Sequence, residues 1–203
     1  DGTLEYLDSL TDLPFELRYV TREHSWYRLA SGNNKAAKYA RGNRILFTNG
    51  DQLHCPKSFE AHCELTYDRV GGGVFKGIQV AHSSKVSIDM VAEWDKLKKI
   101  QEQFPSGKNN VPHIQTTDPN TNPIGVWGGN FSVPASTFQQ IGGYDEEYDV
   151  GWGGEENDLV RRCVKAGCRV QWVKESEIFH LDHPIKAYAN AMLGSRKYLK
   201  DMT

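Results

Sequence analysis

The 203-residue sequence predicts an α/β fold, an open sheet flanked by helices. Three observations predict it. Short β-favouring runs alternate with stretches of helical period. The segment from Ser31 to Thr66 runs helix, strand, polar turn, helix, the order of an open α/β sheet. Hydrophobic residues make up 38% and charged residues 25%, enough for one core in one domain.

The elements follow in chain order. Glu16 to Val20 alternates and is expected to be a short strand. Ser31 to Arg41 is alanine-rich and reads as a helix capped by Gly42. Arg44 to Thr48 is a short apolar run of the kind found in buried parallel strands, and it stops at Asn49-Gly50-Asp51. Pro56 opens a helix to about Thr66, with Phe59, Cys63 and nearby Leu65 as its apolar positions. Gly71-Gly72-Gly73 reads as a flexible joint, and Val86 to Ile100 has helical spacing through Ile88, Val91, Trp94, Leu97 and Ile100. Pro105 to Pro123 is polar and long, which suits a lid or binding loop.

Order is expected to return at Val126 to Val133. Pro134 starts a short helix through Phe138 and Ile141, closed by Gly142-Gly143. A polar, acidic segment, Tyr144 to Asp149, leads to Gly151-Trp152-Gly153-Gly154. Leu159, Val160, Cys163, Val164 and Ala166 then form a helical stripe ended by Gly167. Cys168 to Val173 reads as a strand leading to Phe179-His180-Leu181-Asp182-His183-Pro184, and Ile185 to Leu199 as a last helix.

The bulk numbers exclude several classes. A net charge of -2 gives no electrostatic footprint for nucleic acid. No apolar run approaches the ~20 residues that span a bilayer. The opening Asp1-Gly2-Thr3 has neither the basic segment nor the apolar core of a secretory leader. The four cysteines, Cys55, Cys63, Cys163 and Cys168, form no Cys-x-x-Cys pair, which argues against a zinc ribbon. Two disulfides are one arrangement, and four buried thiols in a reducing cytoplasm are the other.

Three clusters could carry chemistry. Asp51 directly follows a strand, beside a glycine that lets a ligand approach the backbone. A carboxylate there can hold a hard divalent cation, although Asn-Gly-Asp is also a common surface turn. Glu155, Glu156 and Asp158 crowd the start of a helix, where the helix dipole alone favours acids. Glycines and Trp152 just before them suit a sugar ring, with its apolar faces and hydroxyl edges. His180-x-x-His183 follows a strand, and imidazole is the commonest side-chain metal ligand.

These motifs carry a family resemblance. Asn43 to Pro56 resembles the strand and Asp-x-Asp turn of GT-A-fold glycosyltransferases. Trp127-Gly128-Gly129-Asn130-Phe131-Ser132, then Gly142-Gly143-Tyr144-Asp145-Glu146-Glu147-Tyr148, then Gly151 to Leu159 and His-x-x-His-Pro, resemble the catalytic segment of family-2-like enzymes. The likeness is to the galactosyltransferase and chondroitin-polymerase types. It implies a GT-A, Rossmann-like mixed open sheet flanked by helices. It also implies one glycosyltransferase domain over 1–203. Residues 1–70 would be the remainder of a nucleotide-binding half, 71–125 a connecting and loop region, and 126–203 an acceptor-binding and catalytic half.

The resemblance also implies roles. Glu156 would be the general base, supported by Glu155 and Asp158. Asp51 and His180, with Asn49, would hold Mn2+ or Mg2+. Asp1, Arg28, Asn34, Gly50 and Gly153 would bind the donor, a nucleotide-diphosphate sugar and in the first instance a UDP-sugar. Trp152, Trp127 and Asn130 would face a saccharide or glycolipid acceptor. The location implied is cytoplasmic, extending to peripheral association at the inner face of the membrane. Three departures from the family pattern stand out. Asn49 replaces the first Asp of Asp-x-Asp, and Asn33-Asn34 stands where an Arg-Asn pair is usual. The family's first strands would precede Asp1, so the sheet is expected to lack them. Two other readings compete. One is a saccharide-binding or scaffold domain without catalysis. The other is a metal-dependent hydrolase, against which stands the lack of a His-Glu-x-x-His helix.

Overall fold

The computed structural model describes residues 2–22, 28–64, 73–83, 94–95, 129–151 and 153–181. Five strands form one mixed sheet: β1 (Arg44–Phe47), β2 (Gln52–His54), β3 (Gly73–Ser83), β4 (Phe131–Pro134) and β5 (Arg169–Leu181). Their order is β1-β4-β3-β5-β2. β3 and β5 run parallel, and the other three pairings are antiparallel. The helices are α1 (Thr3–Ser9), α2 (Leu29–Ala37), α3 (Ser58–Glu64), α4 (Ala135–Gln140) and α5 (Glu155–Lys165), with a 3-10 turn at Glu146–Val150.

β1 pairs antiparallel with β4, not parallel as its apolar run suggests, and only Phe47 is fully buried in it. One neighbour and partial exposure are what an edge strand has among the described residues. Phe47 packs its ring against Phe131 at 5.2 Å, Phe138 at 5.6 Å and Tyr144 at 5.2 Å. Around these rings sit Ala30, Val74, Val133, Leu159, Val160, Cys163 and Cys168. Leu159, Val160 and Cys163 come from the predicted stripe of α5, so that helix buries the face its period marks.

Other elements differ from expectation. Glu16 to Val20 is not a strand: Glu16 pairs with Arg18 and Arg41, Tyr19 bonds Asp8, and Leu17 and Tyr19 are exposed. α2 starts two residues earlier than predicted and ends at Ala37, with Lys38 rather than Gly42 at its C-cap. α3 buries Ser58, Ala61 and His62, while Phe59 and Cys63 are exposed. Its inward face is polar because Ser58 and His62 hydrogen-bond across the sheet. Gly73 begins β3 instead of belonging to a joint. β5 runs on to Leu181 instead of stopping at Val173. Residues 65–72, most of 86–100, 105–123 and 185–199 lie outside the described residues.

α5 ends in a paired-turn cap. Gly167, at φ 100, donates to Val164 O at 3.0 Å, and Cys168 N–H donates to Cys163 O at 3.0 Å. This places the Cys163 and Cys168 thiols side by side. Their mutual hydrogen bond, with burial, holds Cys163 well above the ordinary thiol range. All four cysteines are free thiols, and Cys63 is exposed rather than buried. Among the described residues, no helix is long and apolar enough to cross a membrane.

Candidate active site

The polar turn after β1 is where the sequence places chemistry. Gln52 N–H closes it onto Asn49 O at 3.3 Å. The three residues of β2 then lie antiparallel to the end of β5, with Gln52 opposite His180. Leu181 N–H donates to Asp51 O at 2.8 Å and ties the turn to that strand. The result is a pair of potential ligands from distant parts of the chain. Asp51 Oδ2 stands 3.4 Å from His180 Nε2, with the side chains 34% and 15% exposed. Two adjacent ligand atoms of an octahedral ion, each at ~2.1 Å from it, stand about 3 Å apart, so this pair fits one divalent cation. Among the described residues no group of three or more His, Cys, Asp or Glu gathers at one point. Asn49 and Gly50 complete the turn, and no described atom comes within 4 Å of where a Gly50 Cβ would stand.

Beneath the turn runs a chain of polar side chains that starts at exposed Thr48 and becomes buried from Ser58 onward. Thr48 Oγ1 meets His54 Nε2 at 2.6 Å, and His54 Nδ1 meets Ser58 Oγ at 2.9 Å. Ser58 and Ser176 hydroxyls are 2.6 Å apart, and Ser176 Oγ donates to Asn130 Oδ1 at 2.9 Å. His62 bridges Asn130 Oδ1 at 3.2 Å and Ser132 Oγ at 3.0 Å. Burial pushes the His54 imidazole below the usual histidine range, because the charged ring would lose hydration.

Asn130, expected on the acceptor side, is fully buried, and its amide also donates to Ser176 O at 3.1 Å. It therefore positions neighbours and presents no side chain to a ligand from solvent. Its φ of +53 is uncommon away from glycine, and asparagine is among the residues that tolerate it. Ser176 reaches Asn130 because residues 174–176 bulge out of β5, between Val173 opposite Gly77 and Glu177 opposite Ile78. Gly77 is required there: a Cβ on it would lie 2.2 Å from Asn130 Nδ2.

The acidic helix start is delivered by two left-handed glycines, Gly153 at φ 100 and Gly154 at φ 96. The three acids then divide. Glu155 and Asp158 are buried, and Glu156 is half-buried. The Asp158 carboxylate accepts from Arg161 Nη2 at 2.9 Å and Arg162 Nε at 2.7 Å. Arg162 in turn donates to Ile141 O at 3.1 Å and Gly143 O at 2.7 Å. Asp158 thus ties α5, through Arg162, to the turn after α4.

The two expected donor residues at and before α2 separate likewise. Asn34 Oδ1 accepts from Tyr144 N–H at 2.8 Å, and its amide donates to Tyr144 O at 2.9 Å. It joins α2 to the Gly143–Glu146 turn. Arg28 precedes α2 and borders a shallow cavity with Ser31, Glu146, Glu147, Asp149 and Val150. Asp1, Trp127, Trp152 and His183 lie outside the described residues. Sequence reasoning missed Gln52, His54, Ser58, His62 and Ser176. The signal for two of them is the Ser58–His62 spacing, which puts both on one face of a helix.

Comparison with known proteins adds a second line of observation. Residues 1–117, more than half of the chain, match the family described as Glycosyl transferase family 2. Residues 112–184 match the family described as the N-terminal domain of galactosyltransferase. The chain is similar to validoxylamine A glucosyltransferase of Streptomyces hygroscopicus subsp. jinggangensis (strain 5008), 24% identical over 188 residues that cover 87% of this chain and 44% of that protein. It is also similar to chondroitin synthase of Escherichia coli, 22% identical over 206 residues, covering 92% of this chain and 30% of that protein. The chain spans less than half the length of either relative.

Proposed function

Because the chain belongs to glycosyl transferase family 2, we propose that it transfers a sugar from a nucleotide-diphosphate donor to an acceptor hydroxyl, with inversion and with help from a divalent cation. The observation that carries this reading is the juxtaposition of Asp51 and His180 at 3.4 Å. The mixed sheet supports a GT-A arrangement, with that pair at the mouth of the β1–β2 turn.

Glu156 acts as the base. It accepts the proton of the acceptor hydroxyl as that oxygen attacks the anomeric carbon. The bond from that carbon to the diphosphate oxygen breaks on the opposite face, so configuration inverts. One carboxylate is enough for this, whereas glycosidases use two. Its half-buried place in the first turn of α5, between buried Glu155 and buried Asp158, makes it the acid of the three that can meet an acceptor. Asp51 and His180, with Asn49 beside them, hold Mn2+ or Mg2+, which when bound neutralises charge on the departing diphosphate. Trp152 and Trp127 are the side chains assigned to the acceptor, a saccharide or glycolipid, with Trp152 the one that would stack on its sugar ring. UDP-sugars are the first donors to test.

The test is a donor screen. The protein is incubated with Mn2+, a panel of nucleotide sugars and oligosaccharide acceptors, and products are read by mass shift. A hexose added to the acceptor, with inverted anomeric configuration by NMR, is expected. Absence of transfer from every donor would remove the catalytic reading, and retained configuration would remove the single-base mechanism.

A further inference from the structure

Gln52 sits at the junction of the acidic turn and the buried sheet, and it is itself buried. Its side-chain oxygen accepts from Asn49 N–H at 3.2 Å and from Thr48 Oγ1 at 3.0 Å, reaching back over the turn that its own N–H closes. Gly129 lies close to the same oxygen. A Cβ on Gly129 would stand 2.9 Å from Gln52 Oε1, 3.0 Å from Asn49 N and 3.0 Å from Thr48 Cα. At φ +80, the Gly129 backbone is shaped to seat against the turn in the space a side chain would fill. Along the strand, Gln52 is the residue opposite His180. Gln52 thus bonds through its side chain to the turn that carries Asp51, lies against Gly129 in the segment leading to Asn130, and sits in register with His180 on the paired strand.

We propose that Gln52 is the positioning residue of the cation site: its side-chain oxygen fixes the Asn49–Asp51 backbone and so sets Asp51 against His180. The inference rests on the reading of that pair as cation ligands. It differs from that reading because Gln52 touches no cation and contributes through hydrogen bonds to the ligand-bearing backbone. Partners of this kind matter on the order of 10- to 100-fold in metal affinity.

The experiment measures Mn2+ binding directly, by loss of the free-ion EPR signal, in the protein without donor or acceptor. Gln52→Leu removes the acceptor oxygen at similar volume. Gln52→Asn withdraws it by one methylene while staying polar. Gln52→Glu keeps an acceptor oxygen in place. Leu and Asn are expected to weaken Mn2+ binding at least roughly tenfold, and Glu to restore it. Thermal midpoints without metal identify any variant that fails to fold, and the Asn and Glu pair then decides. Wild-type affinity in a folded Gln52→Asn or Gln52→Leu variant, alongside loss of binding in Asp51→Ala, overturns the role of Gln52 and leaves the cation site standing. Failure of the unaltered protein to bind Mn2+ overturns the cation site itself, and the inference with it.

Discussion

Asp149 caps a helix that starts more than a hundred residues before it: its Oδ1 accepts the N–H of Ala30, the second residue of α2, at 3.0 Å. Its other oxygen accepts the N–H of Ser31 at 3.1 Å. A helix N-terminus leaves its first N–H groups without partners and carries partial positive charge, so a carboxylate there serves twice. Together with the Asn34–Tyr144 pair, this contact fastens α2 to the acidic segment before α5.

Removing that cap should loosen the join between the two parts. Asp149→Ala is expected to destabilise the fold by about 2 kcal/mol, and Asp149→Asn by less, since an amide oxygen still accepts one bond. Urea unfolding with the slope held constant checks this. Equal midpoints for Asp149→Ala and the parent would show that solvent satisfies these N–H groups equally well.

Glu156→Gln keeps shape and hydrogen-bonding capacity but cannot take a proton. Transfer should fall by roughly 10^2- to 10^4-fold, while donor affinity by calorimetry changes little. A variant with full turnover would remove the base assignment.

Asp51→Ala and His180→Ala should each make donor binding insensitive to Mn2+. Calorimetry with UDP, with and without the ion, reads the difference. Each should also leave the unfolding midpoint within a few degrees of the parent, because both side chains are partly exposed where the turn before β2 meets the end of β5. Persistence of the Mn2+ effect in both variants would place the cation elsewhere.

His54 makes stability depend on pH in a defined direction. Burial lowers its pKa in the fold, so between the folded value and the ordinary value of about 6.5 the unfolded chain binds more protons. Stability therefore rises with pH across that window, and acidification below about pH 6.5 removes it until the folded value is passed. Thermal midpoints across about pH 5 to 7.5 should fall on acidification less steeply for His54→Asn than for the parent. Parallel slopes would mean that other groups account for the whole dependence.

The sequence made some of this legible and hid the rest for physical reasons. α5 was readable because its stripe, its acidic start and its closing Gly167 agree with one another. α4 was readable from Pro134. The three residues of β2 are too few to show a period, and only pairing with β5 makes them a strand. β5 hides its own length: Lys174-Glu175-Ser176 bulges and reads as a loop, which conceals the continuation to His180. α3 misled because its buried face is Ser58, Ala61 and His62, and polarity inside a core is invisible until its partners are known. Of the site, the residue types at Asp51, Glu156 and His180 stand out in the sequence. The approach of Asp51 to His180 does not, because the pairing of β2 with β5 sets it. Asn34, Asn130 and Asp158 have the chemistry of ligand-binding residues and are committed to internal hydrogen bonds.

The pairing of β2 with the far end of β5 also has a consequence for how the protein is made. Asp51 leaves the ribosome about 130 residues before His180, a delay on the order of ten seconds during synthesis. Throughout that interval β2 lacks the strand it pairs with, and the acidic turn waits without its imidazole. On the proposed reading of Asp51 and His180, cation affinity would arise only after β5 has docked against β2, so binding of the ion would report that this pairing has formed.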